Sequence, residues 1–111
     1  MFIYEKKLQF PVKIKTPNPK LAAAIISQYG GPDGELGASL RYLSQRYSMP
    51  YPALKGLLTD IGTEELGHME MVAAVVHQLT RNLTPQQVKE AGFDAYFVDH
   101  TTGVYPQFAS G

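Results

Sequence analysis

The sequence predicts an all-α fold, a helical hairpin amounting to half of a four-helix bundle. Three observations predict it. Leu54, Leu58, Ile61, Glu65, His68, Val72, Val75 and Leu79 are spaced 4, 3, 4, 3, 4, 3 and 4 apart, the seam of a helix packed lengthwise on other helices. Helical spacing also runs from Leu21 to Tyr47. Between these segments, "YSMPYP" breaks the chain, because two prolines so close cannot continue a helix.

Residues 1–18 read as an arm that alternates weakly and ends at "TPNPK". Asn18 caps the first helix, and Pro19 suits its first position, where the missing N–H is not needed. Within this helix Leu36, Leu40, Leu43 and Tyr47 form an apolar stripe. A separate face carries Gln28, Glu35 and Tyr42, beside small Gly31, Ala38 and Ser39, and this combination predicts a cavity rather than a filled core. "GGPDG" precedes Glu35, and an interior proline costs a helix ~3 kcal/mol. Either the helix kinks there or two helices meet; in both cases Glu35 lies in the first turn after the break. The second helix is expected from about Ala53 to Arg81. Thr84 and Gln87 form a capping box for a short third helix to about Ala91. Residues 92–111 have no period and read as a loop or tail.

The whole chain of 111 residues has room for a single small domain. Ten basic residues balance ten acidic ones, so net charge points to neither nucleic acid nor an anionic membrane surface. No apolar run approaches the length of a membrane span, and no leader is visible, so a soluble protein is expected. The absence of cysteine removes disulfides, thiolate metal sites and thiol nucleophiles together.

Glu65 and His68 occupy consecutive seam positions between apolar neighbours, where an unpaired charge is costly. With the two long helices antiparallel, Glu35 comes opposite both. One lone carboxylate facing Glu-x-x-His is half of the pattern of ferritin-like dimetal proteins. Carboxylate oxygens with an imidazole favour manganese or iron, and a carboxylate can bridge two ions. The plain alternative is a buried Glu65–His68 pair that satisfies itself. Tyr42, one heptad from Glu35, is either a core tyrosine or a hydrogen-bonding support for the site. Glu64 and Glu70 lie off the seam and read as solvated, although Glu70 is also a candidate support for the ligands. His77 reads as a surface residue, and His100 falls in the tail. Neither His-Glu-x-x-His nor a phosphate-binding loop is present.

The runs "YEKKLQFPV", "QYGGPDGELGASLRYLSQRYSMP", "LLTDIGTEELGHMEM" and "GFDAYFVDHTTGVYPQ" resemble the manganese catalases, and within them the spore-coat CotJC branch. The resemblance covers essentially the whole chain. It implies a four-helix bundle holding two manganese ions that alternate between oxidation states. One hydrogen peroxide is oxidised to oxygen while another is reduced to water. By position it makes Glu35 a terminal ligand of the first metal, Glu65 the bridging carboxylate and His68 the imidazole on the first metal. Tyr42 resembles a tyrosine beside the core of the site.

Members of the family continue into a second helix pair, which supplies another glutamate and another histidine; this sequence ends at "YPQFASG". The expectation is therefore a homodimer about a two-fold axis, with the two ions shared between chains. The rival is a piece of a longer catalase-like protein. The functional alternative is a structural or interaction protein of the spore coat, with other coat proteins as partners and a vestigial or incomplete site. Iron oxidation or storage uses the same ligand types, and only the resemblance selects manganese. Cytoplasm and spore coat are the locations these readings imply.

Overall fold

The computed structural model describes residues 3, 5 and 7–94. Among these there is no strand. The chain forms α1 (Pro19–Ile25), a 3-10 turn (Ile26–Gln28), α2 (Glu35–Gln45), α3 (Pro52–Leu79) and α4 (Pro85–Glu90). Residues 95–111, with most of the expected tail and His100, lie outside the described residues. No helix among those described is long and apolar enough to cross a membrane.

The helix starts follow from local chemistry. The Asn18 side chain accepts from Leu21 N–H at 3.0 Å, and Pro19 holds the first turn. Pro52 opens α3 directly after extended Tyr51. Both hydrogen bonds of the Thr84–Gln87 capping box are present, at 2.8 and 3.2 Å. At its far end α4 closes in a Schellman motif: Gly92 N–H donates to Lys89 O and Phe93 N–H to Val88 O. Phe93 and Val88, the apolar pair of that motif, are both buried.

At "GGPDG" two helices meet; α2 is not the kinked continuation of α1. The chain turns through residues 29–34 and re-enters a helix at Glu35. Gly34 makes the turn sterically feasible, since a Cβ there would lie 2.4 Å from Gly30 O.

α2 and α3 form the expected antiparallel hairpin. Arg46 meets Thr59, Ser39 meets Gly62, and Glu35 meets Glu65 and His68, so the register runs in opposite directions along the two helices. The small α2 face does not leave a cavity at Ser39. Instead it brings the helices into close contact. Ser39 is buried, and its hydroxyl donates to Gly62 O at 2.8 Å. A Cβ on Gly62 would sit 2.8 Å from Leu43 Cγ.

The core lies at one end of the molecule. Ala22 and Ile26 from the α1 region, Val76 and Leu79 from the end of α3, Val88 from α4, and Phe93 pack together. Asn18 N–H donates to Leu79 O, joining the start of α1 to the end of α3. The arm is fastened at the same end. Gln78 accepts from Ile14 N–H and donates to Val12 O, while Arg81 donates to Ile14 O and Lys15 O.

Burial along the α3 seam departs from the even inward packing that its spacing predicts. Leu79 is 2% exposed and Leu54 is 40% exposed, with half-buried positions between them. α1 and α4 cover only the far end of α3, and no further helix among the described residues covers the rest of the seam. The Leu36–Tyr47 stripe is also only partly covered, with Leu40 and Tyr47 largely exposed.

Candidate metal centre

Glu35, Glu65 and His68 come together between α2 and α3. One ligand atom from each lies within 4.8 Å of the other two. The α2 contribution depends on the turn before it: Gly34 caps the helix, and Glu35 becomes its first residue. A carboxylate there also meets the positive end of the helix dipole. The α3 contribution depends on spacing, since residues three apart share one face of a helix. The Ser39–Gly62 contact holds the two helices close, one turn along α2 from Glu35.

His68 Nδ1 lies 3.1 Å from Glu65 Oε2 and 3.9 Å from Glu35 Oε2. The Glu65 side chain is 15% exposed, Glu35 28% and His68 39%, so the cluster is open on one side. A hydrogen bond with Glu65 is the main cause that holds the Glu35 carboxyl above its ordinary range, reinforced by burial and by the Glu65 charge, while His68 opposes it. Glu65 is held below its ordinary range, first by the hydrogen bond from Glu35 and then by His68, against the effect of burial. The two shifts run in opposite directions, as expected for two carboxyls too close for both to ionise freely.

The donor set suits a hard or borderline divalent ion such as manganese or iron. Two carboxylates and one imidazole supply only part of the six-coordinate shell such ions prefer, and the open side leaves room for further donors. The self-satisfying alternative is also visible, because Glu65 and His68 do form a hydrogen-bonded pair. What that pair does not explain is Glu35, a second carboxyl brought against Glu65 from another helix.

The remaining candidates stand apart from this cluster. Tyr42 is half-buried on α2, about 10 Å along the helix from Glu35. Glu70 lines a groove with Thr63, Gly67 and the arm residue Glu5, roughly on the opposite side of α3 from His68. Glu64 and His77 are exposed. Spacing alone does not single out Gly34, Ser39 or Gly62 as the residues that position the carboxylates. The available signal is the glycines flanking Pro32 and the small residues on the Glu35 side of α2.

The family described as manganese containing catalase matches residues 1–109. The chain is 54% identical to protein CotJC of Bacillus subtilis over 111 residues, covering all of this chain and 58% of CotJC. It is 34% identical to a manganese catalase of the same organism over 110 residues, 98% of this chain and 40% of that protein. The crystal structure of wild-type KatB, a manganese catalase from Anabaena, superposes with a TM-score of 0.75 at 34% identity, covering 81% of this chain and 42% of KatB. The chain therefore spans little more than half of CotJC and less than half of these catalases.

Proposed function

Because the chain belongs to the manganese catalase family, we propose that Glu35, Glu65 and His68 bind manganese as half of a dimetal centre that disproportionates hydrogen peroxide. The observation that carries this reading is the convergence of the three donors from two helices within 4.8 Å. A manganese pair, when bound, supplies the redox chemistry by which two electrons and two protons pass from one peroxide to another, giving one oxygen and two waters. The chain's residues have more limited tasks. Glu65, which meets both Glu35 and His68, would be the carboxylate shared by the metal pair. Glu35 and His68 would hold the metal from either side of it, with Nδ1 the imidazole atom that faces the carboxylates. Any proton on Glu35 must leave before that carboxylate ligates.

The test is manganese content and oxygen release after expression with manganese. The chain should retain about one manganese per copy. Glu65→Ala should lose both metal and oxygen release by more than the ~10- to 100-fold that removal of a residue supporting a ligand costs. Metal-free wild-type protein after such growth would refute the reading.

Higher identity to CotJC, 54% against 34% for the catalase, favours a second reading. In it the chain is a structural or interaction protein of the spore coat in a spore-forming bacterium, keeping the fold and metal with little turnover. Binding to other coat proteins that survives Glu65→Ala would select this reading; oxygen release lost in that variant would select catalysis.

A further inference from the structure

We propose that the arm side of α3 is a docking surface for a second copy of this chain, set antiparallel about a two-fold axis that passes near Met69 and Ala73. Neither the Glu35–Glu65–His68 cluster nor the α3 seam takes part.

The arm runs alongside α3 in the same direction and forms two grooves with it. Glu5 and Gln9 share the first with Asp60, Glu64 and Glu70; Lys13 and Lys15 share the second with His77 and Arg81. The grooves are oppositely charged. In the first, carboxylates outnumber Lys7, which pairs with Glu5 at 3.1 Å. In the second, no carboxylate among the described residues lines the wall. Alternation along the arm sets the lysines outward, since Val12 and Ile14 are half-buried while Lys13 and Lys15 are exposed. The hydrogen bonds of Gln78 and Arg81 to the arm hold that alternation against α3. The dipole at the end of α3 accounts for His77 and Arg81. It does not account for the two lysines, which arrive from the arm.

The charges stand at opposite ends of this surface. Asp60–Glu64 and His77–Arg81 are about 25 Å apart along α3. Midway between them Leu66, Met69 and Ala73 line a mainly apolar hollow of about 500 Å³, together with Tyr29 and the arm residue Ile3, which is 81% exposed. A surface that is acidic at one end, basic at the other and apolar in the middle matches itself after a half-turn about its centre. The acidic end of each copy then meets the basic end of the other, and hollow meets hollow. An apolar centre inside a polar rim is the general anatomy of protein interfaces, and closed two-fold pairing is the commonest form of self-association. Ten acidic and ten basic residues cancel, so the copies attract through the placement of charge, without net repulsion. A nucleic acid or a uniformly basic peptide would satisfy one end and be repelled by the other. A second copy satisfies both.

The experiment is sedimentation equilibrium on the wild type and on two charge-reversed chains, with helicity by circular dichroism as the folding check. One carries Lys13→Glu with Lys15→Glu, the other Asp60→Lys with Glu64→Lys. The wild type should run at twice the chain mass in low salt, and its dissociation constant should rise about tenfold at ~0.5 M salt, where surface charges are screened. Each reversed chain alone should run at the single-chain mass. An equimolar mixture should return to twice that mass, because reversals at opposite ends restore both contacts. Should a reversed chain lose helicity, Lys13→Gln with Lys15→Gln, which only neutralises the basic end, should still weaken pairing. Leu54→Lys, on the seam, should leave the mass unchanged. A wild type at the single-chain mass overturns the proposal, as does a mixture of folded reversed chains that fails to pair. A mass that grows past two copies overturns the two-fold arrangement, and loss of pairing in Leu54→Lys overturns the choice of face.

Discussion

Glu65 has a carboxyl on one side and an imidazole on the other, and both neighbours act on its charge. The hydrogen bond with Glu65 raises the affinity of Glu35 for a proton. Manganese must displace any proton that Glu35 holds. Metal affinity is therefore expected to rise with pH as the ligands lose their protons, which titration of free manganese by electron paramagnetic resonance at a series of pH values would read. Without metal, the two carboxyls act on stability in opposite directions. Glu35, with its raised folded value, contributes stability that is lost as pH rises through that value. Glu65, with its lowered value, contributes stability that is lost as pH falls through its own. The contribution of the pair should therefore pass through a maximum between the two folded values, which urea midpoints of the wild type and of Glu35→Gln across the acid range would show. Gly34 acts at the same scale. Gly34→Ala places a methyl 2.4 Å from Gly30 O, against backbone that cannot swing aside. The variant should lose about 1–3 kcal/mol in urea unfolding, with weaker manganese binding as Glu35 shifts.

Between elements, the close contact of Ser39 with Gly62 sets the distance at which the two carboxylates meet. Gly62→Val drives a branched side chain into Leu43 and should cost about 1–3 kcal/mol. It should lower metal affinity more than Gly56→Ala, a control position with open space around its missing Cβ. The α4 closure is a separate fastening. Phe93→Ala removes a fully buried ring and should cost about 3–5 kcal/mol by urea denaturation. The sequence makes some of these elements readable and leaves others obscure for a physical reason. Asn18–Pro19 and Thr84–Gln87 are legible because a cap is completed within four residues. The α3 seam and the Glu65–His68 pair are legible because helical spacing fixes the face on which side chains project. Glu35 is legible from its place after the proline break. Ser39–Gly62 is not, because a close approach depends on which helices meet and at what register. Nor is the exposure of Leu54, since a seam position is buried only when something covers it.

At the scale of the whole molecule, the buried cluster and the candidate centre occupy different parts of a long hairpin. Stability should be graded between them, because local opening follows the density of buried contacts. Amide hydrogen exchange in the isolated chain should be slowest around Val76–Leu79 and fastest in the first turns of α3, around Lys55–Leu58. Uniform protection along α3 would contradict the gradient. The fastenings of the arm add a kinetic consequence. Gln78 and Arg81 reach back 64 to 67 residues to hold Val12, Ile14 and Lys15, whereas Arg46 reaches Thr59 across only 13. Contacts between distant residues close more slowly than near ones, because more chain entropy is lost first. The hairpin tip should therefore zip up early and remain the least protected part, while the clasp that secures the molecule closes last. Speed of formation and durability run in opposite directions along this chain.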